Sequence, residues 1–279
     1  MKKILFLIIA IFLYGSEFVP YTGYISYSKD SNKTDSSIIG SYIKIENGKY
    51  QYEFDVSYLS QTYDDGDYNE IDLTAVWNMF DNDYKYRVGI HNIYSISSTT
   101  ATLTSRNRYS SQTTYSDDYS FVIFGGIMKY KYLLYNRSID LYYSHYKDID
   151  AIQISPKAGY NINYSGIGSF YIEGKVNFIY LTKSVPKDNY TNLVLKLQYF
   201  KKDITTTLRA KFFKSVYEVD NDGFVVYNLG EEYKNSYSIN ISKTIDNSYI
   251  SVGYGYSKFV ENGVDCSSSS YSFSVINKF

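Results

Sequence analysis

What this chain of 279 residues lacks narrows it first. It holds one cysteine, Cys266, so no internal disulfide can form, and the bridge-stabilised class of secreted all-β domains is set aside. Its two histidines, His91 and His145, lie far apart, and with a single thiol they offer no metal-ligand spacing. No glycine-rich phosphate loop precedes a helix, so neither a nucleotide nor any other cofactor is expected. A formal net charge of −1 gives no electrostatic footprint for nucleic acid. Beyond the first sixteen residues the longest apolar run is Phe121–Met128. A helix needs about 20 apolar residues to cross a bilayer, so any membrane span must be made of strands. A sustained helical period of 3.6 is missing as well.

What is present begins with Lys2 and Lys3, which precede the ten-residue apolar run Ile4–Leu13. That run is too short for a helical span and reads as the core of a signal peptide, residues 1–16, cleaved near Gly15–Ser16. Leu13 is large for the position two before the cut. No cysteine sits nearby, which excludes a lipid anchor on a processed N-terminal Cys. The expected mature chain, 17–279, suits one large all-β domain. Thirty-six Tyr and sixteen Phe are a heavy aromatic load, of the kind that membrane barrels place in interfacial girdles.

From Val19 onward the dominant period is two. Tyr50, Tyr52, Phe54, Val56 and Tyr58 alternate with Lys49, Gln51, Glu53, Asp55 and Ser57, and Asn47–Gly48 before them is a strong hairpin signal. Fourteen strands are predicted, near 19–28, 38–46, 49–60, 70–80, 84–96, 119–132, 138–146, 151–162, 168–181, 190–200, 204–216, 232–243, 248–260 and 269–279. Each is long enough for the ~9–11 residues that a tilted barrel strand uses to cross. Tight turns at Asn47–Gly48, Asp81–Asp83, Lys201–Asp203 and Thr244–Asn247 alternate with longer polar loops near 29–37, 61–69, 97–118, 182–189, 217–231 and 261–268. Pro156 predicts a bulge or a late start for the eighth strand. Both parities are apolar from Phe121 to Tyr132, and the connection near 147–150 is short, so twelve strands stay open beside fourteen. Asp64–Asp65–Gly66–Asp67 and Asp220–Asn221–Asp222–Gly223 lack the rest of a calcium loop and read as turns.

At the C-terminus Tyr271, Phe273, Val275 and the terminal Phe279 alternate with Ser270, Ser272, Ser274 and Lys278. This segment resembles the assembly signal of bacterial outer-membrane β-barrel proteins, with Asn277 standing where an apolar residue is usual. The resemblance implies an antiparallel up-and-down barrel in the outer membrane, similar to monomeric fourteen-stranded porins. It also implies outer-membrane lipid and the barrel-assembly machinery as partners, and a Gram-negative type of source. A secreted β-sandwich shares the alternation, but long strands, unequal connections and Phe279 favour closure, because hydrocarbon tolerates no unpaired sheet edge.

If the aromatic face meets lipid, the opposite face lines the interior. Lys49, Glu53, Asp55, Asp72, Lys85, Arg87, Asp140, Glu173, Lys175, Lys196, Arg209, Lys211 and Lys234 are then candidate pore-lining residues, joined by Lys44, Glu46, Lys157 and Lys278. That set holds eleven basic and six acidic side chains, which predicts a weak anion preference. The loop Ser97–Asp118, with Arg106 and Arg108, is expected to fold inward and narrow the lumen. Charges could also pair across the lumen and serve stability alone.

Enzymatic chemistry finds no support. An outer-membrane phospholipase needs a His and a Ser two apart on one strand face. His91 has Gly89 and Ile93 there, and His145 has Tyr143 and Lys147. Ser144 adjoins His145 and so points to the other face. An aspartate–histidine protease needs Asp-x-His, and neither histidine has it. His91 reads as a lumen residue, His145 as an interfacial one near the rim, and Cys266 as a bystander in an external loop. The expectation is a channel for passive diffusion of small hydrophilic solutes. The alternative is a structural or adhesion barrel whose external loops bind a partner. A fatty-acid transporter would carry an N-terminal plug, and a siderophore transporter would need about 22 strands.

Overall fold

Alternation of large apolar and polar side chains gives each strand one face for lipid and one for the interior, and the chain closes on that rule. The computed structural model, in which residues 17–105, 108–131, 134–164, 166–184 and 187–279 are described, is a closed antiparallel barrel of fourteen strands. In chain order these are β1 (Glu17–Tyr27), β2 (Lys33–Asn47), β3 (Tyr50–Tyr63), β4 (Gly66–Asp81), β5 (Tyr84–Ser105), β6 (Arg108–Lys131) and β7 (Tyr135–Tyr146). They continue with β8 (Ile149–Tyr164), β9 (Gly168–Leu181), β10 (Asn189–Lys201) and β11 (Ile204–Phe212). Two short strands, β12 (Val219–Asp220) and β13 (Val225–Val226), pair with each other outside the wall. The wall resumes with β14 (Glu232–Ile245), β15 (Ser248–Glu261) and β16 (Val264–Lys278). Closure is between β1 and β16, with Glu17 opposite Lys278 and Tyr24 opposite Tyr271. Among the described residues the barrel wall has no open sheet edge, as a bilayer requires. All fourteen expected strands are present, so the twelve-stranded reading falls away. The expected signal peptide and Arg106 lie outside the described residues.

Register settles the ambiguous strand. His91 pairs with Val122 and Val122 with Ser144, so Val122 and Phe124 face inward with buried side chains, while Phe121 and Ile123 face out. Pro156 causes no bulge. The β8–β9 pairing keeps one register from Ile154–Phe178 to Lys157–Lys175, and Pro156 sits on the outward parity opposite Ile139. Continuous pairing with β7 carries the strand past the missing donor.

Three expectations about connections are corrected. Segments 61–69 and 261–268 are mostly strand, with two-residue turns at Asp64–Asp65 and Asn262–Gly263. Segments 97–105 and 108–118 extend the β5–β6 hairpin, whose pairing runs out to Ser105–Arg108, so these residues do not fold inward. Cross-strand bonding satisfies its backbone without help from the lumen. Cys266 is likewise no loop residue. It lies in β16 opposite Phe259, buried on the inward parity.

Candidate functional site

The segment from Phe213 to Glu231, between β11 and β14, enters the barrel. Its apolar side chains explain why. Val216 and Val219 are fully buried, Val216 in a cluster with Tyr146, Ile149 and Leu181, and Val219 with Val76, Val122, Phe124 and Tyr142. Phe224 packs edge-on to Tyr42 of β2, on the opposite wall, with ring centres 5.6 Å apart. The turn at its tip needs left-handed backbone at Asn221, Asp222 and Gly223, and Asp220 caps it by accepting from the Asn221 amide at 2.8 Å. A side chain at Gly223 would collide with the Phe124 ring.

Acidic groups on this segment meet the basic inward face. Lys175 donates to Asp220 at 2.7 Å and Arg209 to the same carboxylate at 2.5 Å. Lys211 donates to Glu218 at 2.9 Å, and both side chains are almost completely buried. Lys157 reaches Asp222 at 3.1 Å, and Arg87 bridges Asp222 at 3.5 Å and Asp140 at 3.1 Å. Lys33 pairs with Glu231. Burial would raise the Asp220 pKa, but Lys175, Arg209 and Lys211 together outweigh it and hold the carboxylate well below its usual range. Lys157 and Arg87 do the same for Asp222. Asp222 keeps 45 % of its side chain accessible to the interior space, whereas Asp220 keeps 3 %.

The structure therefore brings Arg87, Asp140, Lys175, Arg209 and Lys211 together with Lys157 around the inserted segment. Glu173 accepts from Tyr171 at 2.5 Å, lies 3.5 Å from Lys196 and interacts electrostatically with Lys157 at the edge of that cluster. Lys85 stands over the Phe80 ring. Lys49 is in the exposed β2–β3 turn, over the ring of Tyr50. Lys234 is the extra residue where the β14–β15 register shifts, and it donates to Asp265 at 2.5 Å near the other rim. Lys44 and Lys278 both bridge Glu17. Part of the expected basic excess is thus taken up by Glu17, Glu218, Asp220 and Asp222, none of them in the expected lining. His91 is buried inward, and His145 sits on the outward parity beside Asp150 at 2.6 Å.

Between the inserted segment and the wall formed by β16 and β1–β5 lies a cavity of about 790 Å³. It is lined by Glu53, Asp55, Ser57 and Gln61 of β3, by Glu70 and Asp72 of β4, and by Tyr21, Tyr27 and Tyr42 opposite Phe224 and Tyr227. Glu53 and Gln61 are eight residues apart on one strand, about 26 Å at 3.3 Å per residue, so the space is elongated along the barrel.

No protein-family model and no curated protein matches the chain. Solved structures do. The toluene transporter TbuX of Ralstonia pickettii aligns with a TM-score of 0.59 at 8 % identity, over 95 % of this chain and 90 % of that one. A FadL homologue of Pseudomonas aeruginosa aligns with a TM-score of 0.56 at 10 % identity, over 96 % and 91 %. The monoaromatic hydrocarbon channel CymD aligns with a TM-score of 0.54 at 8 % identity, over 95 % and 89 %. The chain has the fold of fourteen-stranded outer-membrane barrels.

Proposed function

We propose that this protein is an outer-membrane channel that passes small hydrophilic solutes along the cavity beside the inserted segment. The observation that carries this reading is the elongated, charged cavity, which needs water to solvate its carboxylates. Glu53, Asp55, Asp72, Lys85 and Arg87 are among its lining residues. Lys175, Arg209 and Lys211 hold the segment that narrows it. Export by a cleaved signal peptide and insertion by the barrel-assembly machinery belong to the same reading. The structurally similar proteins are named for toluene and monoaromatic hydrocarbons, and this cavity also has an apolar side in Val19, Ile25, Ile38, Leu59, Val225 and Ile276; the four carboxylates on β3 and β4 are what favour a hydrophilic solute here. Planar-bilayer recordings of the refolded protein should show discrete conductance steps, and liposome swelling should report entry of small sugars. Absence of both, with toluene uptake into cells expressing the protein, would reject the hydrophilic channel.

A further inference from the structure

We propose that the cavity is a binding site for small organic cations, amines or guanidinium compounds, which the channel selects over anions; this rests on the channel reading only for the word selects. The inward faces of β3 and β4 bring four carboxylates to one wall, with Lys85 and Arg87 near Glu53 but bonded to none of the four. Glu53 accepts from Tyr42 at 2.9 Å and Asn78 at 2.5 Å, and Asp55 accepts from Tyr21 at 3.0 Å. Glu70 accepts from Tyr68 and from Asn228 at 2.5 Å, and Asp72 from Ser57 at 3.1 Å. All of these donors are neutral. Among the described residues no Lys or Arg forms an ion pair with any of the four. The cations that share the cavity are engaged elsewhere, Lys33 with Glu231 and Arg87 with Asp140 and Asp222, or stand over a ring, as Lys85 does.

Ser57 pairs with Asp72 and Asp55 with Thr74, so Asp55 and Asp72 are diagonal neighbours, within about 7–8 Å. Like charges so placed repel one another unless a cation comes between them. A second observation is independent of the acidic cluster. His91 lines the same cavity, only 2 % exposed, and its Nε2 atom has no hydrogen-bond partner among the described residues. Asp72 Oδ1 is also unpartnered and stands 3.5 Å from His91 Nε2, too far for a direct bond. Buried polar atoms are rarely left so. An ammonium donates to carboxylate oxygens and to a neutral imidazole nitrogen. The rings of Tyr21, Tyr27, Tyr42, Phe224 and Tyr227 supply faces that attract a weakly hydrated organic cation more than a metal ion.

The test uses the full refolded barrel with butylammonium and methylguanidinium chloride. Calorimetry in detergent should show saturable binding of both, weakened tenfold or more in Asp72→Asn and Glu70→Gln, and unchanged in Lys49→Gln at the rim. In bilayers, a potassium chloride gradient should give a cation-preferring reversal potential, and butylammonium should reduce the current. Conductance with anion preference and no amine binding overturns the site while leaving the channel. Amine binding without conductance keeps the site and overturns the channel. Heat-modifiable gel mobility establishes that each variant has folded, and Asp55→Asn provides a second substitution if either of the first two has not.

Discussion

Replacing Asp220 by Asn should release the inserted segment from the lumen. Asp220 is 3 % exposed and faces Lys175 and Arg209, whose side chains keep 8 % and 31 % of their surface. After the substitution Arg209 can turn to interior water, but Lys175 is left buried without its hydrogen-bonded carboxylate, with only Asp222 and Asp140 further off. Breaking a buried pair from one side costs about 3–5 kcal/mol, because the orphaned charge must be desolvated with nothing in return. At 1.4 kcal/mol per tenfold, the undocked population rises by more than about 100-fold. The barrel wall should survive, since its pairing does not pass through the segment. Chymotrypsin should therefore cut the variant after Phe224 or Tyr227 while the wild type resists, and single-channel conductance should increase. Lys175→Met in the same background removes the stranded charge and should restore most of the protection, a coupling of up to ~3 kcal/mol. The Asp222→Asn variant should respond much less, because Asp222 is 45 % accessible and one of its two partners, Arg87, is shared with Asp140. If Asp220→Asn keeps wild-type conductance and protease resistance, the segment is not held by these ion pairs.

Three further outcomes follow from the same geometry. Phe54 is 44 % exposed on the outward face, whereas neighbouring Asp55 faces the interior, so Phe54→Lys should lose about 2–4 kcal/mol of folding stability in lipid that Asp55→Lys does not; equal urea midpoints in vesicles would contradict the parity. Deleting Phe279, which follows β16, should lower the folded fraction in the outer membrane while export continues, as read by heat-modifiable mobility. Asp220 has its pKa depressed below 3.8 in the folded state, so its stabilisation is complete above the ordinary carboxylate range and is lost only as pH falls through the depressed value. Protease resistance of the segment should thus persist at pH 4 and fail only in stronger acid; release between pH 7 and 5 would show that other groups hold it.

Much of the wall was legible because a barrel strand is a local object. Tyr52, Phe54 and Val56 against Glu53 and Asp55 state both the face and the register, and each turn needs only the residues beside it. Loop length was less legible, since Asp64–Asp65 and Asn262–Gly263 sit in polar stretches that look the same whether paired or not. The inserted segment escaped for a different reason. Lys175, Arg209, Arg87 and Lys157 could be assigned inward by alternation, but what meets them comes from Asp220 and Asp222, and Arg87 precedes Asp222 by more than a hundred residues. Two signals were nevertheless present. Val216, Val219 and Phe224 are apolar residues that a solvent-facing loop does not need, and an unbalanced excess of inward basic groups in a low-dielectric tube calls for acids from somewhere. The same balance has a second side. Once Glu218, Asp220, Asp222 and Glu231 are taken up by the basic wall, no Lys or Arg among the described residues closes an ion pair with Glu53, Asp55, Glu70 or Asp72. A protein that neutralises one half of its lumen from within, and leaves the other half acidic beside tyrosine rings, has left that half for a cation it does not itself supply.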